Sequence, residues 1–337
     1  MKTTKTDSRR SFIKKVAKGV ALSTVAFSSA SVISAKPDLK IREGVPGSQK
    51  NLRIGIIGAE NSHTAGYGRL FNVDKRFPGA EVLYVWGETD EFAAAAKEKG
   101  SIPNIVKNPN DMLGKIDALI VDHRHPKYHL EAAVPFIKAK IPTFIDKPFC
   151  YRVSEGKEFL SLAESLGTPV SSWSTSAHTD RTADLKKQVE ELGQIKNFVA
   201  FGPVDIESQW GGVFFYGVHL VDNILNIFVD NVEKVRVTKT GNTATGTLLF
   251  NNGMLATLIS TTLGSSRGDM FAETKKGIVE VKSEVTETVP PKAYIDMVEL
   301  FRTGKNARSH DRILYSMGVL EALEKSVTSD KWENVVV

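Results

Sequence analysis

Four short apolar runs, separated by helical patterns, constrain the fold of this chain more than any other feature of its sequence. Each run is almost continuously apolar, as strands are when helices cover both faces of a parallel sheet. The runs cover residues 52–58, 82–86, 118–121 and 143–145. The helical patterns that separate them cover residues 64–72, 91–99 and 130–139. This alternation predicts a doubly wound α/β domain over residues 51–150.

After residue 150 the pattern changes. One more apolar strand is predicted at 168–173, and then strands that alternate or carry β-branched residues at 196–201, 235–240, 245–250, 254–261 and 277–282. Asn251, Asn252 and Gly253 are a hairpin turn signal between two of these strands. Helices are predicted over residues 183–192, 218–228, 294–302 and 313–326. We therefore expect residues 151–337 to form an α+β domain around a mostly antiparallel open sheet.

Residues 1–35 are predicted to be an export signal. Seven of the 44 Lys and Arg residues lie there with one acidic residue, which leaves 37 basic and 38 acidic residues for the rest of the chain. Arg9 and Arg10 form a twin-arginine pattern, and an uncharged run over 19–35 follows them. That run is too short and polar for a membrane span but suits a signal peptide. The sequence thus predicts a periplasmic protein exported by the twin-arginine machinery, with a linker at 36–50, no membrane anchor and no nucleic-acid partner.

The loop after the first strand, IGIIGAENSH over residues 54–63, begins like a dinucleotide-binding turn. A G-x-G-x-x-G loop would place glycines at 60 and 63, where this chain has Glu60 and His63. A carboxylate about 4 Å from a phosphate charge would oppose binding by ~4 kcal/mol at an effective dielectric of about 20. Three alternatives remain open: Glu60 points away, His63 or Arg69 compensates its charge, or no dinucleotide binds in the usual pose.

Several segments together resemble the glucose–fructose oxidoreductase, inositol dehydrogenase and rhizopine-catabolism (Gfo/Idh/MocA) family. They are the GIIG of the first strand, Asp146-Lys147-Pro148 where the family usually has Glu-Lys-Pro, the LGQI of 192–195, Gly211-Gly212, and the GVHLVD of 217–222. Their order and spacing match over most of residues 51–335. The resemblance implies an N-terminal Rossmann domain and a C-terminal domain whose open sheet often forms the homo-oligomer interface. It also implies NAD(P)-linked oxidation or reduction of a hydroxyl on a sugar or polyol.

The resemblance assigns catalytic roles to two residues. Lys147 follows a predicted parallel strand, where such sheets present their crevice, and its amine can donate to the substrate oxygen or act as a base. His219 opens the helix that the family places against the nicotinamide, and a histidine can take the hydroxyl proton. Asp222 lies about one helical turn further on and is expected to orient the ring. His178, also predicted to be catalytic, and Asp122 and His125 are expected to contact the substrate.

The cofactor is expected to be NAD or NADP. Asn61 and Ser62 are good N-cap residues for the helix that follows, and its free N–H groups can bind an anion. Glu88, just after the second strand, is the candidate for the adenosine ribose, and an acid there favours NAD. The full predicted cofactor set is Gly58, Ala59, Asn61, Ser62, His63, Glu88, Asp122, His123, His125, Asp146 and Lys147.

Two features depart from ordinary dehydrogenases of the family. Many of them have an aspartate four residues before the histidine, where this chain has Phe215. Either Tyr216 or another residue covers that role, or the chemistry is not ordinary dehydrogenation, since some relatives use a bound cofactor to cleave glycosidic bonds. The second departure is the VDHRHPKYH of 121–129, where the family has a Thr-Pro-Asn-type loop.

Six of the seven histidines are predicted to lie near one crevice: His63, His123, His125, His129, His178 and His219. Histidine and aspartate are ligands for zinc or manganese, but the spacing is not diagnostic, and the sequence predicts no metal. Binding of sugar hydroxyls, or of phosphate with Arg124, is the favoured interpretation. The sequence thus supports three hypotheses. The first is a sugar oxidoreductase with a tightly held cofactor that can include redox-assisted glycoside transformation. The second is a hydrolase or lyase that lacks the dinucleotide and uses the histidine cluster, with or without a metal, and the third is a silent sugar-binding protein.

Overall fold

The computed structural model describes residues 51–229, 231–261 and 268–337. The predicted export signal and the linker up to residue 50 lie outside the described residues. The described part contains two sheets, and its helices pack against them.

The first sheet is parallel and has six strands in the order β3-β2-β1-β4-β5-β6. Its strands are β1 (Leu52–Ile57), β2 (Ala80–Trp86), β3 (Asn104–Ile105), β4 (Ala118–Val121), β5 (Thr143–Ile145) and β6 (Val170–Ser171). Its helices are α1 (Ser62–Gly68), continued by a π-helical turn (Arg69–Val73), α2 (Asp90–Gly100), α3 (His129–Lys138) and α4 (Val153–Leu166). The strand order reverses between β1 and β4, and a crevice opens at such a point beyond the carboxyl ends of the strands.

The second sheet has seven strands in the order β12-β11-β7-β10-β9-β8-β13, and β7 with β10 is its one parallel pair among the described residues. Its strands are β7 (Asn197–Gly202), β8 (Val232–Thr240), β9 (Thr243–Phe250), β10 (Leu255–Ser260), β11 (Met270–Thr274), β12 (Gly277–Glu280) and β13 (Glu333–Asn334). Its helices are α5 (Asp180–Leu192), α6 (Val213–Ile227) and α8 (His310–Ser329). The helix between α6 and α8 in sequence, α7 (Lys292–Thr303), packs instead in a buried cluster with strands of the parallel sheet. The predicted fold class, a Rossmann-like sheet followed by a mostly antiparallel sheet, is confirmed.

The parallel sheet extends past the domain boundary predicted at residue 150. β6 pairs with β5 in parallel, and α4, which the sequence pattern did not predict, connects the two strands. Gly156 allows α4 to pack closely, because a Cβ at this residue would lie 2.9 Å from Cys150 Sγ and 2.9 Å from Leu314 Cδ2. The lone cysteine is therefore part of the packing between α4 and α8.

Helix α6 begins earlier than the sequence predicted. It starts at Val213, directly after Gly212, whose φ of 56° ends the preceding loop in the left-handed region. Residues 213–217, expected to lie before the helix, form its first turn. His219 therefore lies in the second turn and does not open the helix.

One cluster of buried side chains links the two sheets. It includes Val121 and Ile145 from the parallel sheet, Val218 from α6, and Leu248 and Leu320 from the C-terminal half. Because the cluster is continuous, the loops at the carboxyl ends of β4 and β5 are held against α6. No helix among the described residues has the length and apolar character that crossing a bilayer requires.

Candidate active site

The candidate site lies where β1, β4 and β5 end. Gly58 follows β1 with a φ of 105°, and a Cβ there would lie 2.6 Å from the backbone of Asp122 and His123. Only glycine fits both this conformation and this close approach. The turn after β1 and the loop after β4 are thus pressed together, and Asp146 and Lys147 follow β5 beside them.

Two buried carboxyl groups, Asp122 and Asp146, form the floor of the site, and both side chains are fully buried. Asp122 accepts hydrogen bonds from Thr64 Oγ1 at 2.5 Å and from Asn61 Nδ2 at 2.9 Å. Burial, reinforced by the charge of Asp146, raises the pKa of Asp122 well above its usual range. Burial alone would also raise the pKa of Asp146, but Lys147 and His63 hold it well below its usual range. Burial thus favours the neutral form of Asp122, whereas the partners of Asp146 favour its negative charge.

Asp146 is the hub of the hydrogen-bond network. Its Oδ2 lies 3.0 Å from Nδ1 of His63 and 3.4 Å from Nζ of Lys147, and its Oδ1 accepts from the hydroxyl of Tyr67 at 3.1 Å. Lys147 is nearly buried, with 7% of its side chain exposed. Tyr67 was not predicted to belong to the site, although it lies four residues after His63 on the same face of α1.

One atom from each of His63, Asp122 and Asp146 lies within 4.8 Å of the other two, which is a geometry that a metal ion could use. The Lys147 ammonium already provides a positive charge beside Asp146, and burial raises the pKa of Asp122, which favours its neutral form. The network therefore needs no metal ion to balance its charge, and we interpret these three residues as hydrogen-bonding partners.

His219 presents a neutral ring to the same site. Its Nδ1 lies 2.8 Å from Ser174 Oγ and 3.0 Å from Ser176 Oγ, while its other ring nitrogen has no hydrogen-bond partner in the described part of the chain. Burial, followed by the charge of Lys147, lowers the pKa of His219 to about 3. At neutral pH the ring is therefore uncharged, and its free nitrogen can take a proton.

The expectation that Asp222 orients the ring of His219 directly is wrong. The Asp222 carboxylate is bound by Arg308 at 2.9 and 3.2 Å, by Ser316 Oγ at 2.6 Å and by the backbone N–H of Ser174 at 3.0 Å. The hydrogen-bond link from Asp222 to the ring runs through Ser174, which carries the hydroxyl beside Nδ1, and the charge of Asp222 also acts on the ring through space. No sequence pattern pointed to Arg308, which lies 86 residues further along the chain.

His178 lies close to Ser174 in the chain, and its backbone N–H donates to the carbonyl oxygen of Ser174. Its ring stacks on Trp173 with centroids 4.8 Å apart, and its Nε2 lies 2.6 Å from Oδ2 of Asp296 on α7. Among the described residues, no hydrogen bond joins His178 to Lys147 or to His219. Its predicted contact with substrate stays a prediction.

The side chain of Glu88, a residue that follows β2, binds the turn after β1. Its Oε2 accepts the backbone N–H groups of Ala59 at 2.8 Å and Glu60 at 2.9 Å, and its Oε1 lies 2.7 Å from His123 Nδ1. Burial opposes its ionisation, but these partners lower the pKa of Glu88 to about 2. The residue predicted to contact the adenosine ribose thus engages the N–H groups that lie nearest to it.

Glu60 faces this cluster. Burial, and then the charge of Glu88, raises the pKa of Glu60, while Arg124 and His123 lower it. Compensation by His63 or Arg69 was one of the three open alternatives, and the structure instead places Arg124 and His123, from the loop after β4, near Glu60. The guanidinium of Arg124 itself lies between the rings of Trp210, at 4.9 Å, and Phe215, at 5.1 Å, from the C-terminal half.

The residues present fit a dinucleotide if Glu88 rotates. Asn61 caps α1 by accepting from the N–H of His63, and Ser62 is exposed at the first helical position. The Glu88 side chain is 23% exposed, and its rotation would free the N–H groups of Ala59 and Glu60 and allow the carboxylate to accept from the hydroxyl groups of a ribose. In that arrangement Lys147 and His219 would lie at the nicotinamide end.

Aromatic side chains line the mouth of the crevice. Tyr216 is 39% exposed and its ring lies 5.8 Å from that of His219. His125, predicted as a ligand-binding residue, packs against the ring of Tyr151 at 5.1 Å and that of Tyr128 at 6.0 Å. The loop after β4 and helix α6 thus meet across an aromatic rim.

His129 is fully buried and joins the loops after β4 and β5. Its ring nitrogens lie 2.8 Å from the carbonyl oxygens of Pro148 and His123, and burial lowers its pKa to about 4.

This shift makes the stability of the fold depend on pH. In the unfolded chain the imidazole takes up a proton near pH 6.5, so stability is lost as the pH falls from there toward 4. We expect His129 to account for roughly 2 kcal/mol of destabilisation between pH 7 and pH 5. Urea unfolding at both pH values checks this, and the variant His129→Gln, which cannot take up the proton, should lose that part of the dependence. A pH dependence that is the same in both proteins would contradict the prediction.

Residues 52–173 match the model of the Gfo/Idh/MocA oxidoreductase family, described as having an NAD-binding Rossmann fold. No curated protein matches the chain. Among solved structures, myo-inositol 2-dehydrogenase from Lactobacillus plantarum has a TM-score of 0.71 at 18% identity, covering 85% of this chain and 100% of that one.

Two Lactobacillus casei structures are also similar. Myo-inositol dehydrogenase in complex with NAD(H) and myo-inositol has a TM-score of 0.70 at 15% identity, covering 85% of this chain and 97% of that one. Scyllo-inositol dehydrogenase with NAD(H) and scyllo-inositol has a TM-score of 0.70 at 13% identity, covering 85% and 99%. At these identities the structures show a shared fold, and the family-model match supports the prediction that the Rossmann half belongs to an oxidoreductase.

Proposed function

We propose that this protein is an NAD-linked oxidoreductase that acts on a secondary hydroxyl of a sugar or polyol and keeps its cofactor bound. The observation that carries the proposal is the pairing of Lys147, an ammonium held beside Asp146, with His219, a neutral ring with a free nitrogen, at the carboxyl ends of a parallel sheet. Oxidation of an alcohol needs both a proton acceptor and a group that stabilises the developing alkoxide.

The chain's own residues can perform the proton chemistry. In the oxidation direction Lys147 donates a hydrogen bond to the hydroxyl oxygen, and the free nitrogen of His219 takes the hydroxyl proton. Ser174 and Ser176 hold the opposite nitrogen of the ring, so that the free one faces the crevice. When bound, the dinucleotide supplies the acceptor for the hydride that leaves the same carbon. Reduction runs the same steps in reverse.

A carbohydrate substrate is supported by the walls of the site. Polar groups converge on its floor, and the rings of Tyr216, Phe215 and Trp210 lie at its mouth, which suits a molecule with both hydroxyl groups and apolar C–H faces. The solved structures that share the fold include two printed with an inositol bound. We propose NAD over NADP because Glu88 would repel a 2′-phosphate.

Redox-assisted transformation of a glycoside is a second candidate. Phe215 stands where many dehydrogenases have an aspartate, and it packs against Arg124 across the crevice. An apolar ring there adds no second acid or base, but it widens the aromatic rim toward a second sugar ring. We propose a periplasmic location after twin-arginine export, where a retained cofactor that is recycled within the site suits a sugar exchange or cleavage.

The C-terminal sheet supports the proposed homo-oligomer. Val199, Phe201, Leu249, Ile259 and Phe271 alternate with buried residues on its strands, and each remains partly exposed on its outer face. An apolar sheet face of this kind suits a contact with a second copy of the chain.

Mass spectrometry of released small molecules tests the proposed function. The chain without residues 1–35, purified from cytoplasm and denatured, is expected to release one nicotinamide dinucleotide per chain. Metal analysis of the same sample distinguishes a metal-dependent hydrolase or lyase. Absence of any dinucleotide, together with no thermal shift in millimolar NAD or NADP, would contradict the proposal.

A further inference from the structure

The ion pair between Lys147 and Asp146 is loose. Its Nζ–Oδ2 distance is 3.4 Å, whereas a charge-assisted N–H···O bond is typically about 2.7–2.9 Å. His63 Nδ1 lies closer to the same oxygen, at 3.0 Å, and Asn61 Nδ2 lies at 3.4 Å. Three donors therefore compete for one oxygen, and the lysine is not the nearest of them.

The carboxylate cannot turn to relieve this competition. Tyr67 donates to Oδ1 at 3.1 Å, the Asp146 side chain is fully buried, and Asp122 lies beside it. Burial of a charge with this many fixed partners holds it in one orientation. The position of Lys147 therefore depends on what occupies Oδ2.

We propose that His63 is a positioning residue for Lys147: it occupies the shared oxygen of Asp146 and so keeps the lysine ammonium loosely held and turned toward the crevice. The inference rests on the proposed function and deepens it, because a lysine clamped to Asp146 would have fewer donors for a substrate oxygen. This role differs from the cofactor contact that the sequence predicted for His63. His63 is well placed for it, since 35% of its side chain is exposed and its Nδ1 is the nearest of the three donors to Oδ2.

The geometry of the ring contact defines the test. His63 donates through Nδ1, and the amide nitrogen of asparagine lies the same number of bonds from Cβ as Nδ1 does. The amide nitrogen of glutamine corresponds to Nε2 instead. His63→Asn should therefore keep the contact with Asp146, whereas His63→Gln and His63→Gly should lose it. His310→Gln, which changes a histidine paired with Glu164 outside the crevice, is the matched control.

Two measurements on the chain without residues 1–35 report on the position and reactivity of the Lys147 amine. With the bound dinucleotide and a substrate sugar, His63→Gln and His63→Gly are expected to lower kcat by ~10- to 100-fold, as a misplaced catalytic group does, with little change in cofactor Kd. His63→Asn should stay within about three-fold of the parent protein, since it keeps the hydrogen bond. Without any cofactor, acylation of Lys147 by acetic anhydride, mapped by peptide mass spectrometry, should slow by about 10-fold in the same two variants, because a tighter ion pair keeps the amine protonated.

The outcomes separate the inference from the proposed function. Equal losses in the asparagine and glutamine variants, or a main effect on cofactor Kd, would overturn the positioning role, and the second result would assign His63 to the cofactor. An unchanged acylation rate in all His63 variants would also overturn it. Absence of a bound dinucleotide would refute the proposed function alone, because the acylation rates are measured without cofactor or substrate.

Discussion

Replacement of Lys147 by methionine is expected to lower kcat by ~10³-fold, within the range found for removal of a positioned acid or base. Methionine keeps the length of the side chain and its packing beside buried Asp146, but it removes the ammonium that would contact the substrate oxygen. Cofactor affinity, measured by the fluorescence of bound NADH, should change by no more than about three-fold, because the other residues of the predicted cofactor set are unchanged.

The effect requires two controls. Lys187→Met removes a lysine that forms an exposed pair with Glu191 on α5, and its kcat should equal that of the parent protein. Lys147→Arg tests the shape of the cation, since a planar guanidinium does not replace a compact ammonium in a nearly closed site. A Lys147→Met protein that retains full kcat would exclude this lysine from the chemistry.

The longer strands of the parallel sheet could be predicted from the sequence, because a strand that is buried on both faces consists almost entirely of apolar residues. β1, β2, β4 and β5 all lie within the predicted runs, or differ from them by a residue or two. β6 lies inside the strand predicted at 168–173. α4 was not predicted, since serine, glutamate and glycine interrupt its apolar face.

The early start of α6 could not be predicted from the sequence, because Val213 to Tyr216 are apolar residues that a strand or a loop could equally contain. The start depends on the backbone of Gly212 and on packing against the C-terminal half. Boundaries of this kind reflect tertiary context, which no local pattern carries.

The site likewise contains residues that could be predicted from the sequence and partners that could not. Lys147, Asp146, Asp122 and His63 were accessible to sequence reasoning because each follows a strand, or opens a helix, at the rim of one sheet. Their partners were not, because hydrogen bonds such as those from Ser174 to His219 and from Arg308 to Asp222 join residues that are 45 and 86 positions apart. The electrostatic surroundings of Glu60 could not be predicted either. They include Arg124, whose position depends on the packing of the loop after β4 against α6.

The largest effect on stability is expected at Asp222. The carboxylate is fully buried, and Arg308, whose side chain is 10% exposed, binds both of its oxygens. Burial would raise the pKa of Asp222, but Arg308 lowers it, so the pair contributes stability at neutral pH that is lost as the carboxylate is protonated in acid. Asp222→Ala should lower the free energy of unfolding by about 3–5 kcal/mol, because it leaves the guanidinium buried without its partner.

A double-mutant cycle measured by urea unfolding separates the pair from its surroundings. Arg308→Met should cost a similar amount, and Asp222→Ala combined with Arg308→Met should cost much less than the sum of the two single changes. Arg236→Met, at the exposed pair with Asp330, should change stability by no more than about 1 kcal/mol. A further Asp222 variant bears on catalysis, because the hydrogen-bond link between Asp222 and His219 runs through Ser174. Asp222→Asn can keep that acceptor, so it should retain most of kcat in the folded protein, whereas a direct partner of the ring could not be replaced without a large loss.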